Sequence, residues 1–111
     1  MTSTLQYGLP SPAIESLRSV FKKFPTIEKV ILYGSRAKGN FKPGSDIDLT
    51  LFTVESNLSF LFKVEDAIDE LFLPYKVDLS IYNLLDNENL RDHIYRVGIE
   101  FYKREGLDAN S

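Results

Sequence analysis

Three aspartates occupy positions from which their carboxylates can act together on a metal ion. Asp46 and Asp48 are two residues apart in a segment of alternating polarity, and Asp78 lies in a second such segment. Side chains two residues apart on a strand point to the same face, with Cα atoms roughly 6.5 Å apart. If the two strands are neighbours, Asp78 lies beside the pair. Clustered carboxylates repel one another unless they bind protons or a cation, and Mg2+ prefers such oxygen ligands.

A short segment before these aspartates has the features of a phosphate-binding turn. Gly34-Ser35 follows an apolar run and opens a predicted helical turn. A glycine lets backbone N–H groups approach a phosphate, and a helix start directs N–H groups and a positive dipole at the anion. Ser35 adds a hydroxyl, while Lys38 and Lys42 add positive charge. We therefore expect a triphosphate to bind here, beside a metal held by the carboxylates.

These two features together suit phosphoryl-type transfer, in which positioning and charge stabilisation do most of the work. One metal ion would lower the pKa of the attacking hydroxyl, and a second would stabilise the leaving pyrophosphate. Asp78 is either the base for the incoming hydroxyl or a ligand of the metal beneath it. The residue pattern leaves both roles open.

The hydropathy pattern predicts a small α/β (α+β) domain, built on a small mixed β-sheet, that would position these residues. The predicted elements are a helix between Ser11-Pro12 and Pro25, a strand at 29–33, a helical turn at 35–39, a strand at 46–52, a helix from about 56 to 74, a strand at 76–82, a helix at 87–97 and a possible edge strand at 99–102. We expect the helices to pack mainly on one face of the sheet, because the other face must stay open for its acidic residues.

Several local features carry more specific expectations. Ser11 is the predicted N-cap of the first helix, and Gly98 is the candidate C-cap of the last. The apolar stripe of the middle helix is predicted to contain Leu58, Leu61, Phe62, Ile68, Leu71 and Phe72. His93 is expected to be solvated. We expect the tyrosines in the second half of the chain to lie in the core or at its rim, namely Tyr75, Tyr82, Tyr95 and Tyr102.

Composition limits the class of protein. The 111 residues are 43% hydrophobic and 13% aromatic, which is enough for a core and argues against disorder. We expect one domain over residues 1–111, with a core at about 12–103 and a frayed tail at 106–111. A net charge of −3 argues against direct nucleic-acid binding, since such binders usually carry a basic excess.

The cellular setting is also constrained by what the sequence lacks. It has no cysteine, which excludes disulfides, thiolate zinc sites and thiol nucleophiles. Its first residues do not form the apolar segment of a signal peptide, and no apolar run approaches the length of a membrane span. We therefore expect a cytoplasmic protein.

Two linked motifs resemble those of a known family. Residues 34–39 (GSRAKG) and 44–49 (GSDIDL) are similar to the signature of the DNA polymerase β-like nucleotidyltransferase superfamily, and the small size resembles its minimal nucleotidyltransferase (MNT) branch. The resemblance runs from about Ile14 to Tyr102. It implies the polymerase β-like fold, Mg2+ (two ions) and ATP as substrate. The residues it implies for the site are Asp46, Asp48 and Asp78 for catalysis and metal binding, and Gly34, Ser35, Lys38 and Ser45 for the nucleotide.

The resemblance also implies a protein partner. Larger relatives carry a second domain that binds the acceptor, and after the core this sequence has no segment for that purpose. In the MNT family the partner is typically a HEPN-domain toxin, a ribonuclease, and the MNT protein is the antitoxin that moves AMP from ATP onto a tyrosine of the toxin. The chain does not resemble the toxin, because no arginine precedes His93 at the spacing of the toxin's Arg-x(4–6)-His motif.

Two alternatives remain open at this stage. The fold could mask the toxin by contact alone, with a vestigial acidic site, although three mutually repelling carboxylates have no physical reason to persist in such a protein. Transfer to a small molecule such as an antibiotic is disfavoured by the absent second domain. The sequence leaves undetermined the nucleotide, the number transferred, the acceptor residue and the stoichiometry of the complex.

Overall fold

The computed structural model describes residues 5–106, and its regular elements alternate between strands and helices. In chain order they are β1 (Leu5–Gln6), β2 (Leu9–Pro10), α1 (Ser11–Lys22), β3 (Ile27–Tyr33), α2 (Ser35–Lys38), β4 (Ile47–Thr53), α3 (Leu58–Asp69), β5 (Val77–Ile81), a 3-10 turn (Tyr82–Leu84), α4 (Glu88–Val97) and β6 (Ile99–Lys103). The predicted α/β fold class is confirmed. The part of the predicted frayed tail at 107–111 lies outside the described residues.

Four strands form the main sheet in the order β5-β4-β3-β6. β3 pairs antiparallel with both β4 and β6, whereas β4 and β5 are parallel. The sheet is therefore mixed, as predicted, and β6 is the edge strand expected from its sequence. This topology brings the C-terminal end of β3 and the N-terminal ends of β4 and β5 to the same edge of the sheet.

One face of the sheet forms the hydrophobic core with α1 and α3. Residues directly opposite on paired strands share a face, and the register produces apolar rows such as Leu32, Leu49 and Leu79. Both helices bury apolar side chains against these rows, and the main contributors are Leu17, Phe21, Phe60 and Val64. This packing confirms that the helices lie mainly on one face.

The opposite face, which carries the carboxylates, is partly covered by α4. Ile94 is buried there, and a Cβ at Gly98 would contact both the Ile94 carbonyl and the Ile31 side chain. Ile31 is opposite Thr50, which shares its face with Asp48. The sheet is therefore open only near its Asp48 end. Gly98 follows α4 as predicted, but its φ of −64° shows that close packing, not a left-handed cap, explains the glycine.

A β-hairpin at the start of the described chain was not predicted. β1 and β2 pair antiparallel through a two-residue turn, in which Tyr7 and Gly8 have φ values of 58° and 75°. Leu9 is fully buried, so the core begins before the predicted boundary at about residue 12. The predicted N-cap at Ser11 was wrong: Pro10 of β2 is the cap, and Ser11 is already helical because the hairpin passes directly into α1.

The predicted apolar stripe of the middle helix was correct for three of its six residues. Ile68 is buried and Leu61 and Leu71 pack against the core, whereas Leu58, Phe62 and Phe72 are exposed. Phe60 and Val64, which were not predicted, complete the buried face of α3. Asn57 caps the helix by accepting a hydrogen bond from the backbone N–H of Phe60 at 2.8 Å, and this bond sets where the helix begins. An apolar residue occurs at almost every helical phase of this segment, so the pattern did not define one face.

The tyrosine and histidine expectations held only in part. Tyr75 and Tyr102 pack against the core, and Tyr82 stacks on Phe52. Tyr95 is 85% exposed, because the buried side of α4 passes through Ile94. His93 was predicted to be solvated, but it is half-buried, with its ring edge-on to Tyr33. Between residues 5 and 106, no helix is long and apolar enough to cross a membrane.

Candidate active site

The predicted phosphate-binding turn lies directly beside Asp48. β3 ends at Tyr33, whose Cα partner on β4 is Asp48, and the chain then turns at Gly34 with φ 77° and ψ −156°. Backbone in this region is essentially restricted to glycine. A Cβ on Gly34 would collide with the Asp48 carboxylate. The structure therefore brings together the turn and the carboxylate that the sequence placed fourteen residues apart.

The three predicted carboxylates converge at the same edge. Asp48 and Asp78 are direct partners in the parallel pairing of β4 and β5, so both side chains point to the same face. Asp46 lies one residue before β4 and is exposed, as is Asp78, whereas Asp48 is half-buried. Alternation alone predicted that the Asp78 side chain points to the same face as that of Asp48, and the paired strands show this.

The Asp48 carboxyl group has a strongly perturbed pKa. Its pKa is raised to about 6, first because burial disfavours the charged form and then because Asp78 and Asp46 repel it. The Arg36 guanidinium acts in the opposite direction. Among residues 5–106, the carboxylates of Asp46, Asp48 and Asp78 take part in no ion pair or side-chain hydrogen bond. Their mutual repulsion is therefore offset only in part by the Arg36 charge, which forms no ion pair with them.

This donor set fits Mg2+ as a shared ion with a phosphate ligand. Hard carboxylate oxygens converge without competing donors, which is the chemistry that Mg2+ requires. In the described part of the chain, no three acidic or histidine side chains are close enough to enclose a metal with protein ligands alone. Mg2+ commonly binds one or two carboxylates and takes its remaining ligands from water and phosphate. Asp46 and Asp48 could hold it in this way, and the ligand role of Asp78 stays a prediction.

The other residues predicted to contact the nucleotide border this edge. Ser35 is half-buried at the start of α2, and Lys38 and Lys42 are exposed. The Ser45 hydroxyl accepts a hydrogen bond from the backbone N–H of Lys42 at 2.8 Å and so closes the turn before Asp46. α2 has only four residues, so the dipole contribution expected from the sequence is small. Contacts of Ser35, Lys38 and Ser45 with a nucleotide stay predictions.

Arg36 is the residue at this site that sequence reasoning missed. It is only 1% exposed and donates four hydrogen bonds to backbone carbonyls: two to Ser45, one to Pro43 and one to Tyr7, at 2.9–3.2 Å. Its guanidinium carbon also lies 5.3 Å from the ring centres of Phe41 and Tyr75. The position of Arg36 within the motif was the feature that could have identified it. However, an arginine beside a phosphate-binding turn is more readily interpreted as an exposed phosphate ligand than as a buried structural residue.

A polar network lies next to the carboxylates, under α4. The Ser80 hydroxyl donates to Thr50 Oγ1 at 2.9 Å, and Ser80 is also hydrogen-bonded to the Tyr33 side chain. Burial raises the pKa of Tyr33, and the nearby Asp78 and Asp48 raise it further, while the Ser80 hydrogen bond acts against them. The Tyr33 phenol is therefore neutral at physiological pH and forms part of the floor of the site.

Comparison with known proteins agrees with this geometry. Residues 15–106 match the family model described as polymerase beta, nucleotidyltransferase. The chain belongs to this nucleotidyltransferase family. More particularly, it is 30% identical over 107 residues to the probable protein adenylyltransferase MntA of Haemophilus influenzae. The aligned region covers 95% of this chain and 92% of the relative.

Two solved structures share the fold. One is a toxin-antitoxin crystal structure with AMP-PNP, with a TM-score of 0.68, 15% identity, and coverage of 83% of this chain and 74% of that one. The other contains a tri-AMPylated HEPN toxin of Shewanella oneidensis in complex with an MNT antitoxin. It has a TM-score of 0.62, 13% identity, and coverage of 83% and 71%. At these identities the similarity establishes the fold.

Proposed function

We propose that this chain is an antitoxin that transfers AMP from ATP to a hydroxyl, most simply a tyrosine, of a partner HEPN-domain toxin. The observation that carries the proposal is the close approach of the Asp48 carboxylate to Gly34, where an added Cβ would collide with it. This proximity supports a phosphate-binding turn beside an acidic cluster. The names of the Haemophilus relative and the Shewanella complex support protein AMPylation and the HEPN partner. The AMP-PNP in the other complex supports ATP as the donor.

Each group at the edge has a role in this reaction. Backbone N–H groups at Gly34-Ser35 and the Ser35 hydroxyl would bind the triphosphate, because the first N–H groups of a helical turn have no partner within the turn. Asp46 and Asp48 would hold Mg2+, which supplies positive charge to the phosphates during transfer. Lys38 would add charge from the exposed side.

The bond changes follow from the chemistry of nucleotidyl transfer. The acceptor oxygen attacks the α-phosphorus of ATP, the bond to the pyrophosphate oxygen breaks, and the hydroxyl proton must be accepted nearby. We assign this role to Asp78, and its exposure beside Asp48 on the edge strand β5 supports the assignment. A metal-ligand role for Asp78 remains the alternative.

The open edge favours a protein acceptor. Asp46 and Asp78 are exposed, and α4 covers the carboxylate face only away from them. An incoming side chain on a partner would therefore reach the site without displacing any element between residues 5 and 106.

The test is incubation of the chain with its cognate HEPN protein, ATP and Mg2+, followed by intact-mass measurement of both proteins. We expect the partner to gain mass in steps of one AMP, with site mapping to a tyrosine. The matched control is the Asp46→Asn, Asp48→Asn double variant, which should still bind the partner but leave its mass unchanged. If the double variant neutralises the toxin as well as the wild type does, neutralisation is by contact and the enzymatic account fails.

A further inference from the structure

Arg36 connects the two halves of the site through a single buried side chain. It lies in α2, one residue after Ser35 of the phosphate-binding turn. Two of its hydrogen bonds go to the Ser45 carbonyl, from Nε at 3.1 Å and from Nη2 at 2.9 Å. That carbonyl belongs to the peptide group whose nitrogen is that of Asp46. The guanidinium thus holds the peptide plane from which the first carboxylate projects.

The segment held by Arg36 has few other restraints. Between α2 and β4 the chain runs through residues 39–46 without regular structure. Its own hydrogen bonds close the turn between Lys42 and Ser45, while its two ends are held by Gly39 N–H donating to the Ser35 carbonyl and Ile47 N–H donating to the Lys76 carbonyl. Arg36 adds a bond to Pro43 and, through Tyr7, ties the same segment to the N-terminal hairpin. These bonds fix the segment relative to the sheet.

The chemistry of arginine suits this task. A planar guanidinium presents five donors in fixed directions, whereas a lysine ammonium is a point charge that cannot make a bidentate contact. Phe41 and Tyr75 place their rings near the guanidinium and restrict its position further. The buried charge is compensated by carbonyl dipoles and ring faces, and four of the five donors are bonded to carbonyls. Because the side chain is only 1% exposed, it is not available to a ligand.

We propose that Arg36 is a positioning residue for the nucleotidyl transfer proposed above: it sets Asp46 relative to Asp48 and the phosphate-binding turn and thereby determines the affinity of the site for Mg2+ with the nucleotide. It does so without touching the nucleotide itself. This inference rests on the proposed function.

The direct test is Arg36→Lys, which keeps the charge but loses the bidentate bond. We would titrate Mg2+ into the full chain with a non-hydrolysable ATP analogue by calorimetry, and measure thermal unfolding in parallel. We expect the Mg2+ concentration at half-saturation to rise by about 10–100-fold, the usual effect of removing a partner that orients a metal ligand.

Arg91→Lys is the matched control, because Arg91 has the same kind of setting away from the site. Its Nη1 donates to the carbonyls of Tyr82 and Leu85 at 3.0 Å, and its guanidinium lies 4.3 Å from the Tyr82 ring centre. A purely structural role for Arg36 predicts that both variants lose stability and that both folded proteins keep the wild-type Mg2+ response. The proposal predicts a shifted response in Arg36→Lys alone.

A milder variant covers the case in which Arg36→Lys does not fold. Phe41→Leu removes one ring from beside the guanidinium, and we expect a smaller shift of the Mg2+ response in the same direction. A folded Arg36→Lys protein with the wild-type response would overturn the inference, as would an unchanged response in Phe41→Leu when Arg36→Lys is unfolded. If the wild type itself binds no Mg2+ with the analogue, the proposed function fails first.

Discussion

At the scale of single residues, the site depends on placing like charges close together. Asp48 is half-buried near Asp46 and Asp78, and its pKa is raised to about 6 by burial and by their repulsion. A raised pKa means that the folded state binds a proton more tightly than the unfolded chain does. In the absence of metal, the ionised Asp48 therefore opposes folding, and a cation that binds this cluster would remove the opposition.

The first prediction concerns the stability of the metal-free protein against pH. The protonated Asp48 favours the folded state below its ordinary pKa of 3.8, and this contribution is lost as the pH rises through about 6. With EDTA present, Asp48→Asn should therefore be more stable than the wild type at pH 8, by about 1 kcal/mol after allowance for solvent screening. The difference should shrink towards pH 4.5. Urea unfolding at both pH values measures the difference in the free energy of unfolding. A difference that does not vary with pH would contradict the raised pKa of Asp48.

The second prediction concerns the glycine at the turn. Gly34→Ala places a methyl group against the Asp48 carboxylate, so we expect loss of Mg2+-nucleotide binding by about tenfold or more. Gly39→Ala is the matched control, because Gly39 also has a positive φ, 90°, but an added Cβ would meet nothing within 4 Å. Both variants should lose stability through backbone strain. Equal nucleotide affinity in the two folded variants would show that the contact with Asp48 is unimportant.

At the scale of elements, the strands were easier to predict than the helix faces. The alternation around Asp48 and Asp78 has a period of two, so it determined which side chains share a face, and the pairing of β4 with β5 agrees. α3 has apolar residues at too many phases for its buried face to be read from spacing. The short hairpin β1–β2 gives too little periodic signal to detect, and its contribution is a tertiary one, through Leu9.

The third prediction tests whether this hairpin is part of the core. Leu9 is fully buried, so Leu9→Ala should lower the free energy of unfolding by about 2–5 kcal/mol. Leu5 in the same hairpin is 60% exposed, and Leu5→Ala should change it by no more than about 0.5 kcal/mol. Denaturant unfolding of the two variants makes the comparison. Similar small effects for both would mean that the hairpin is peripheral to folding.

At the scale of the whole molecule, the sheet topology explains why the site lies where it does. β3 runs antiparallel to β4, and β4 runs parallel to β5, so Gly34 at the end of one strand meets Asp48 and Asp78 near the starts of the others. The sequence supports this arrangement through its motif and alternation. It could not reveal that Arg36 is buried or that α4 covers part of the carboxylate face, because both depend on contacts between distant segments.

The central claim is that the turn at Gly34-Ser35 and the aspartates form one binding site for Mg2+ and a nucleoside triphosphate. The most direct measurement is a calorimetric titration of the wild type and the Asp46→Asn, Asp48→Asn variant with a non-hydrolysable ATP analogue, with and without Mg2+. We expect Mg2+ to strengthen nucleotide binding in the wild type and to have no such effect in the variant. Equal enhancement by Mg2+ in both proteins would contradict it.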